Sequence, residues 1–366
     1  MRIIAFIGGI VLIATILWDV FETVILPRRV VRRIRLTSFF YQSIWLPWSS
    51  TARKIANERR REKFLGLFGP LSLLVLLVLW AAGLILGYSL VLWATDAGLN
   101  LQHPKPGFGT YLYLSGVTFF TLGYGDVSPT SLLGRVLAVI ETANGFALLA
   151  VVISYLPVLY QAFSRREASI SLLDARAGSP SSAVELLRRH RAEDKFEDLN
   201  RLLSEWERWS AELLESHLSY PQLCYFRSQH DNQSWLRALT TVLDTCALVM
   251  IGVQGAPIWQ SRMTFAMARH AVVDIAQVFE TSPAPVEQSI QRLDSAEFMR
   301  MREILAKNGI RLPDDPETEE RLTKLRNMYE PYLYALSERL LMPMPPWILP
   351  PDSIDNWKTS AWGRIQ

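Results

Sequence analysis

Charged residues are nearly absent from three long stretches of this 366-residue chain and are regularly spaced elsewhere. Ile3 to Trp18 is an uncharged run of 16, and the sequence stays apolar to Leu26 apart from Asp19 and Glu22. Leu67 to Leu92 is 26 residues without a charge, about 39 Å as a helix and long enough to cross a bilayer with tilt. Leu132 to Phe163 contains one acid, Glu141, and as a helix would run about 48 Å, beyond the bilayer. Between the last two lies Phe108–Phe120, mostly apolar but too short to cross. It predicts a helix that dips into the membrane and stops. The pattern then changes to amphipathic helical spacing: 182–218, 235–253, 258–280, 286–308 and 315–341 read as helices, and strand alternation is absent. A cleaved leader at the N-terminus is disfavoured, because the basic cluster follows the apolar run and no A-x-A site appears. The expected fold class is an all-α membrane protein. Its parts are an N-terminal transmembrane helix (1–27), a basic segment (28–65), a two-helix-plus-loop unit (66–166) and an all-α domain with a Pro-rich tail (167–366).

Charge divides the chain at the same place. Residues 1–166 carry 16 Lys and Arg against 7 Asp and Glu, and residues 167–366 carry 22 against 28. Eleven of the cations fall in 28–65, among them Arg28, Arg29, Arg32, Arg33, Arg35 and Arg59-Arg60-Arg61. An excess of positive charge marks the cytoplasmic side. Residues 28–65 and 164–366 are therefore expected inside, with Arg165-Arg166 at the membrane exit, and residues 96–106, with His103 and Lys105, outside. Phe39, Phe40, Tyr41, Trp45 and Trp48 follow the arginines, a mixture suited to lying on anionic lipid. The three-residue spacing of Arg29, Arg32 and Arg35 fits a voltage sensor poorly, since one membrane helix precedes it instead of three. Asp19 and Glu22 read as interface anchors near Arg28-Arg29. Cys224 and Cys246 are the only cysteines, expected to be buried, reduced thiols on the cytoplasmic side.

The candidate chemistry sits at Thr121-Leu122-Gly123-Tyr124-Gly125-Asp126. Two glycines around an aromatic let the backbone run with successive carbonyls turned to one side. Four such segments around an axis would stack rings of oxygens in place of a cation's water shell, and Thr121 would add a hydroxyl ring.

This hexapeptide resembles the selectivity filter of the potassium-channel superfamily, whose usual form has Val where Leu122 stands. Over about residues 67–166 the chain is similar to simple bacterial members. Gly134-Arg135 match a pair common after the filter, and Gly145, nineteen residues after Asp126, falls at the family's gating glycine. The resemblance implies K+ as the permeant ion, no organic cofactor and no resident metal, and a channel rather than an enzyme. It also implies a multi-pass protein of a bacterial inner membrane with its C-terminal domain in the cytoplasm. One pore motif per chain implies a homotetramer. The chain departs from the family at three places: Val117 replaces a glutamate behind the filter, Tyr113-Leu114 an aromatic pair, and Phe120 a threonine. Glu141 either braces the pore helix or faces the cavity, with bracing favoured; Gly145 reads as a gating hinge or as a close-packing position.

Residues 167–366 hold no G-x-G-x-x-G, which argues against a nucleotide-binding regulatory domain. His270 and Asp274 share a helical face, and a metal site with His217 or His230 ranks below ordinary structural roles. Tyr220–His230 is aromatic and poor in helical pattern and reads as a buried or ligand-lining loop. The tail from Met342 is expected to extend onto a neighbouring subunit. The domain would gate or assemble the channel, with an unidentified cytosolic ligand and no nucleic-acid partner. The competing readings are a membrane receptor or adaptor with conduction secondary, and a tethered enzyme.

Overall fold

A computed structural model describes residues 1–26, 36–100, 107–191, 196–230, 232–285, 292–315 and 317–350. The Arg28–Arg35 cluster, the turret residues His103 and Lys105, and residues 351–366 of the tail lie outside them. Among the described residues the architecture is all-α apart from one two-residue ladder, and three helices have the length and apolarity to cross a membrane. The chain is an all-α membrane protein. It divides between Tyr160 and Gln161 into two units.

In the first unit, α1 (Arg2–Val20) ends in a π-helical turn over Phe21–Ile25. It packs along α3 (Glu58–Ala94) through small residues. A Cβ on Gly9 would lie 2.7 Å from the Gly87 carbonyl oxygen, so only glycine permits this approach. Asp19 is buried between three elements. It accepts the Thr37 backbone N–H (3.1 Å), the Thr37 hydroxyl (2.6 Å) and the Trp80 indole N–H (2.9 Å). Thr37 opens α2 (Leu36–Arg53), so an acid on α1 satisfies the first turn of α2 and ties both to α3. Asp19 thus works inside the protein, where an interface anchor had been expected.

The aromatic residues of α2 also face protein more than lipid. Trp45 packs edge-on against Phe68 of α3 (4.8 Å) and Trp48 stacks on Phe64 (4.4 Å). Phe40, Tyr41 and Trp45 are buried, while Phe39 and Leu46 are exposed. After α3, β1 (Leu99–Asn100) pairs antiparallel with β2 (Ser128–Pro129). This ladder fastens the segment entering α4 (Phe108–Phe119) to the segment leaving the hexapeptide. Gly134 packs against Pro129 and Ala97, and Arg135 Nε donates to the Pro129 carbonyl (3.3 Å). The Gly-Arg pair therefore closes this corner.

α5 (Leu132–Ala177) is one unbroken helix, and its last seventeen residues belong to the second unit. It outruns the expected end at Phe163 because Ile170, Leu173 and Ala177 keep helical spacing and are buried in that unit. It stops at Gly178, whose φ of 86° a side chain would resist.

The second unit contains α6 (Ala183–Arg191), α7 (Phe196–Ser219), α8 (Trp235–Met250), α9 (Ile258–Val278), α10 (Ser295–Lys307), α11 (Glu317–Arg326) and α12 (Glu330–Leu340). Ser182 caps α6, accepting the Glu185 N–H (3.2 Å). α8 is the centre, buried along almost its whole length. Its one acid, Asp244, pairs with Arg292 and accepts from the Tyr329 hydroxyl, and Arg292 in turn pairs with Glu330, which Arg326 also meets, in one buried network. Two acids and two arginines cancel there, and removing any one would strand its partner's charge.

Two expected helices differ from the prediction. That over 286–308 is interrupted at Leu293-Asp294, between helical Arg292 and α10, which Asp294 caps by accepting the Glu297 N–H (2.7 Å); residues 286–291 lie outside the described residues. That over 315–341 breaks between Arg326 and Glu330, since Pro331 has no N–H for the preceding turn. Of the tail, residues 342–350 are described. Trp347 is buried within its own unit beneath the guanidinium groups of Arg292 and Arg326, 5.1 and 5.7 Å from the ring centre.

Candidate functional site

The hexapeptide begins where α4 ends. α4 is a helix of 12 residues, so its axis is about 18 Å long. Its last turn closes tightly: Phe120 N–H bonds to Gly116, Thr121 N–H to Thr118 (3.0 Å) and Leu122 N–H to Val117 (2.8 Å). Then φ is positive at every second residue, +58° at Thr121, +58° at Gly123 and +79° at Gly125. Alternation of left-handed with ordinary residues gathers N–H groups on one side and carbonyls on the other. Gly takes this conformation freely, whereas Thr121, β-branched, is held there against its preference. Asp126 accepts the Tyr113 hydroxyl (2.9 Å), so the far end of the segment is tied to the first turns of α4. Tyr113 thus holds the far end of the hexapeptide, a role not read from the sequence, while Leu114 sits in an apolar cluster with Leu92, Ala97 and Tyr111.

Behind α4 the ties run to α3 and α5. Glu141 is wholly buried and bonded to the Ser115 hydroxyl, which also reaches the Ile85 carbonyl (2.7 Å). Asn144 donates to the Tyr88 hydroxyl, and Thr142 to the Thr118 carbonyl (3.4 Å). Gly145 lies against the Phe119 carbonyl, and a Cβ there would strike that oxygen. The helix is continuous through Gly145, so its visible role is close packing. Val117 is buried. The side chains of Phe120, Leu122 and Tyr124 are more than half exposed within one chain.

In the second unit the unusual Tyr220–His230 stretch has a definite occupant. Pro221–Tyr225 forms a 3-10 turn, and its carbonyls cup Arg166 of α5. The guanidinium donates to Leu223 O (2.9 Å) and Phe226 O (2.8 Å), meets His217 Nε2 (3.2 Å) and pairs with Glu167. Phe163 lies under it at 5.2 Å. His217 Nδ1 bonds to the Leu213 carbonyl (2.8 Å) and so carries the proton, leaving Nε2 to accept from Arg166. Burial, and then the Arg166 charge, hold His217 well below its usual value of 6.5. Arg166 is therefore an interior residue of the second unit, a role not read from the sequence. Its neighbour Arg165 shares its charge, and nothing in the composition separates the two.

His217 is thus committed to Arg166, and His270 meets Asp274, at 3.8 Å on an exposed face. Among the described residues no group of three His, Cys, Asp or Glu is placed to hold a metal. Cys224 and Cys246 are buried free thiols, pushed up by that burial.

Two membrane-length helices around a short re-entrant one, with a strained carbonyl segment at its end, define an ion-channel pore unit. Residues 74–161 match the family described as "Ion channel", and the chain belongs to that family. Protein LctB of Geobacillus stearothermophilus is 32% identical over 94 residues, covering 23% of this chain and 69% of that protein. The uncharacterized membrane protein YdjJ of Bacillus subtilis (strain 168) is 25% identical over 264 residues, covering 69% of this chain and 74% of its own. That match exceeds the first unit's length, so the likeness reaches into the second. No solved structure matches the chain.

Proposed function

We propose that the protein is a potassium-selective channel in which four copies surround one pore. The observation that carries this is the alternating positive φ at Thr121, Gly123 and Gly125, at the end of a helix that stops inside an apolar layer. Rings of carbonyls from Thr121, Leu122, Gly123 and Tyr124 replace the hydration shell of K+. α4 aims the negative end of its dipole at the ion.

One chain supplies one wall of such a pathway, and fourfold closure supplies the rest. The exposure of Phe120, Leu122 and Tyr124, with an apolar α5 face of Val139, Phe146 and Ile153, supports neighbours at these positions. The protein spans a bacterial inner membrane with 28–65 and 164–366 in the cytoplasm, in line with the positive-charge bias. The basic segment contacts anionic lipid, and the second unit biases the gate, with or without a cytosolic ligand. The continuity of α5 into that unit supports a mechanical link.

The test is K+ uptake into liposomes holding purified protein. Wild type takes up K+ and excludes Na+. Gly123→Ala and Tyr124→Ala lose uptake or its selectivity, while Leu122→Val changes either by less than about threefold, because its carbonyl and not its side chain meets the ion. Equal Na+ and K+ uptake by wild type overturns the proposal.

A further inference from the structure

We infer that Glu141 works as a neutral carboxylic acid, and that its proton positions the filter-bearing end of α4. What is positioned rests on the channel reading above; the hydrogen-bond argument stands without it. Ser115 Oγ has one proton and two oxygen neighbours, the Ile85 carbonyl at 2.7 Å and Glu141 Oε1. Were Glu141 a carboxylate, that proton would serve one neighbour and leave the other contact as two lone pairs facing each other. With a proton on Glu141, the acid donates to Ser115, Ser115 donates to Ile85, and every contact is satisfied.

The second oxygen agrees. Oε2 is buried and has no hydrogen-bond partner. An anionic oxygen without a donor inside an apolar layer is far costlier than the carbonyl oxygen of a neutral acid. The groups that face Glu141 are uncharged: Ser115 from α4 and Tyr88 from α3, whose hydroxyl is taken by Asn144.

The chain of bonds from α5 through α4 to α3 has a consequence for the filter. Contacts between α5 and α4 occur at three successive heights, Glu141 to Ser115, Thr142 to Thr118 and Gly145 to Phe119. The last lies two residues before Thr121. Ser115 is the side chain that joins all three helices, and it can satisfy both neighbours only when Glu141 carries a proton. Glu141 is a positioning residue and touches no ion.

The experiment compares full-length wild type, Glu141→Gln and Glu141→Ala in liposomes at neutral pH. The infrared spectrum of wild type minus Glu141→Gln should show the carbonyl stretch of one protonated, hydrogen-bonded carboxyl. Loss of a carboxylate band instead, or no difference in the carboxyl region, overturns the proposal. Glutamine keeps the donor and the shape, so its selective K+ flux should stay within about threefold of wild type, while alanine loses roughly tenfold. Glutamine behaving like alanine rejects the donor role. A wild type that passes no K+ overturns the channel reading, and the infrared result still decides the state of Glu141.

Discussion

Replacing Arg166 by methionine tests how firmly α5 is held in the second unit. The guanidinium is 5% exposed. It gives N–H groups to Phe226 O (2.8 Å), Leu223 O (2.9 Å), His217 Nε2 (3.2 Å) and Glu167 Oε1 (3.0 Å). Methionine is of similar length and donates nothing. Leu223 O keeps the Phe226 N–H at 3.1 Å, but Phe226 O and His217 Nε2 lose this donor and Glu167 loses its partner. A buried acceptor left unmet costs about 1–3 kcal/mol, and breaking a buried ion pair about 3–5. The cation–π contact with Phe163 adds about 1 at most. The effects overlap, so the total is about 3–5 kcal/mol. Hydrogen exchange of the full-length protein reads it directly: amides of 223–226 should exchange at least about a hundredfold faster. Arg166→Lys should fall between, since one ammonium cannot replace a planar fork. Exchange unchanged in Arg166→Met would refute the idea that this socket holds the helix.

Gly145→Ala places a methyl group against the Phe119 carbonyl. Thermal unfolding in liposomes should show the pore unit weakened by about 1–3 kcal/mol; an alanine variant as stable as wild type but held shut would favour a hinge instead. Stability should also fall with acidification. His217 is neutral when folded, held well below 6.5 first by burial and then by Arg166. The unfolded chain takes up this proton below about pH 6.5, so the contribution is intact above that pH. Below it, stability drops by up to about 1.4 kcal/mol per pH unit. His190, lowered mainly by burial, acts with the same sign. Unfolding midpoints measured from pH about 8 to about 5 should fall below pH 6.5, and His217→Gln should flatten the fall.

The features legible in the sequence depend on runs and periods. α4 was expected over 108–120 and occupies Phe108–Phe119, because an uncharged stretch of that length has few alternatives. α8 was expected within 235–253 and occupies Trp235–Met250. Partners were not legible, since no period links Ser115 to Glu141, Asp19 to Trp80 or Arg166 to Phe226. Composition misleads where two environments select the same residues. Phe40, Tyr41 and Trp45 suit a lipid surface, yet they bury against protein. Trp347, read as part of an extended proline-rich tail, lies beneath two arginines of its own unit. Gly145 sits where a hinge is expected in this family, and only the carbonyl opposite reveals what a side chain would hit.

The central claim is that the backbone of Thr121–Asp126 passes K+ and rejects Na+. Planar-bilayer recording of the purified full-length protein, with K+ on one side and Na+ on the other, measures this in one number. The current should reverse near the K+ equilibrium potential and disappear or lose its preference in Gly123→Ala. A current reversing near zero in wild type would contradict it.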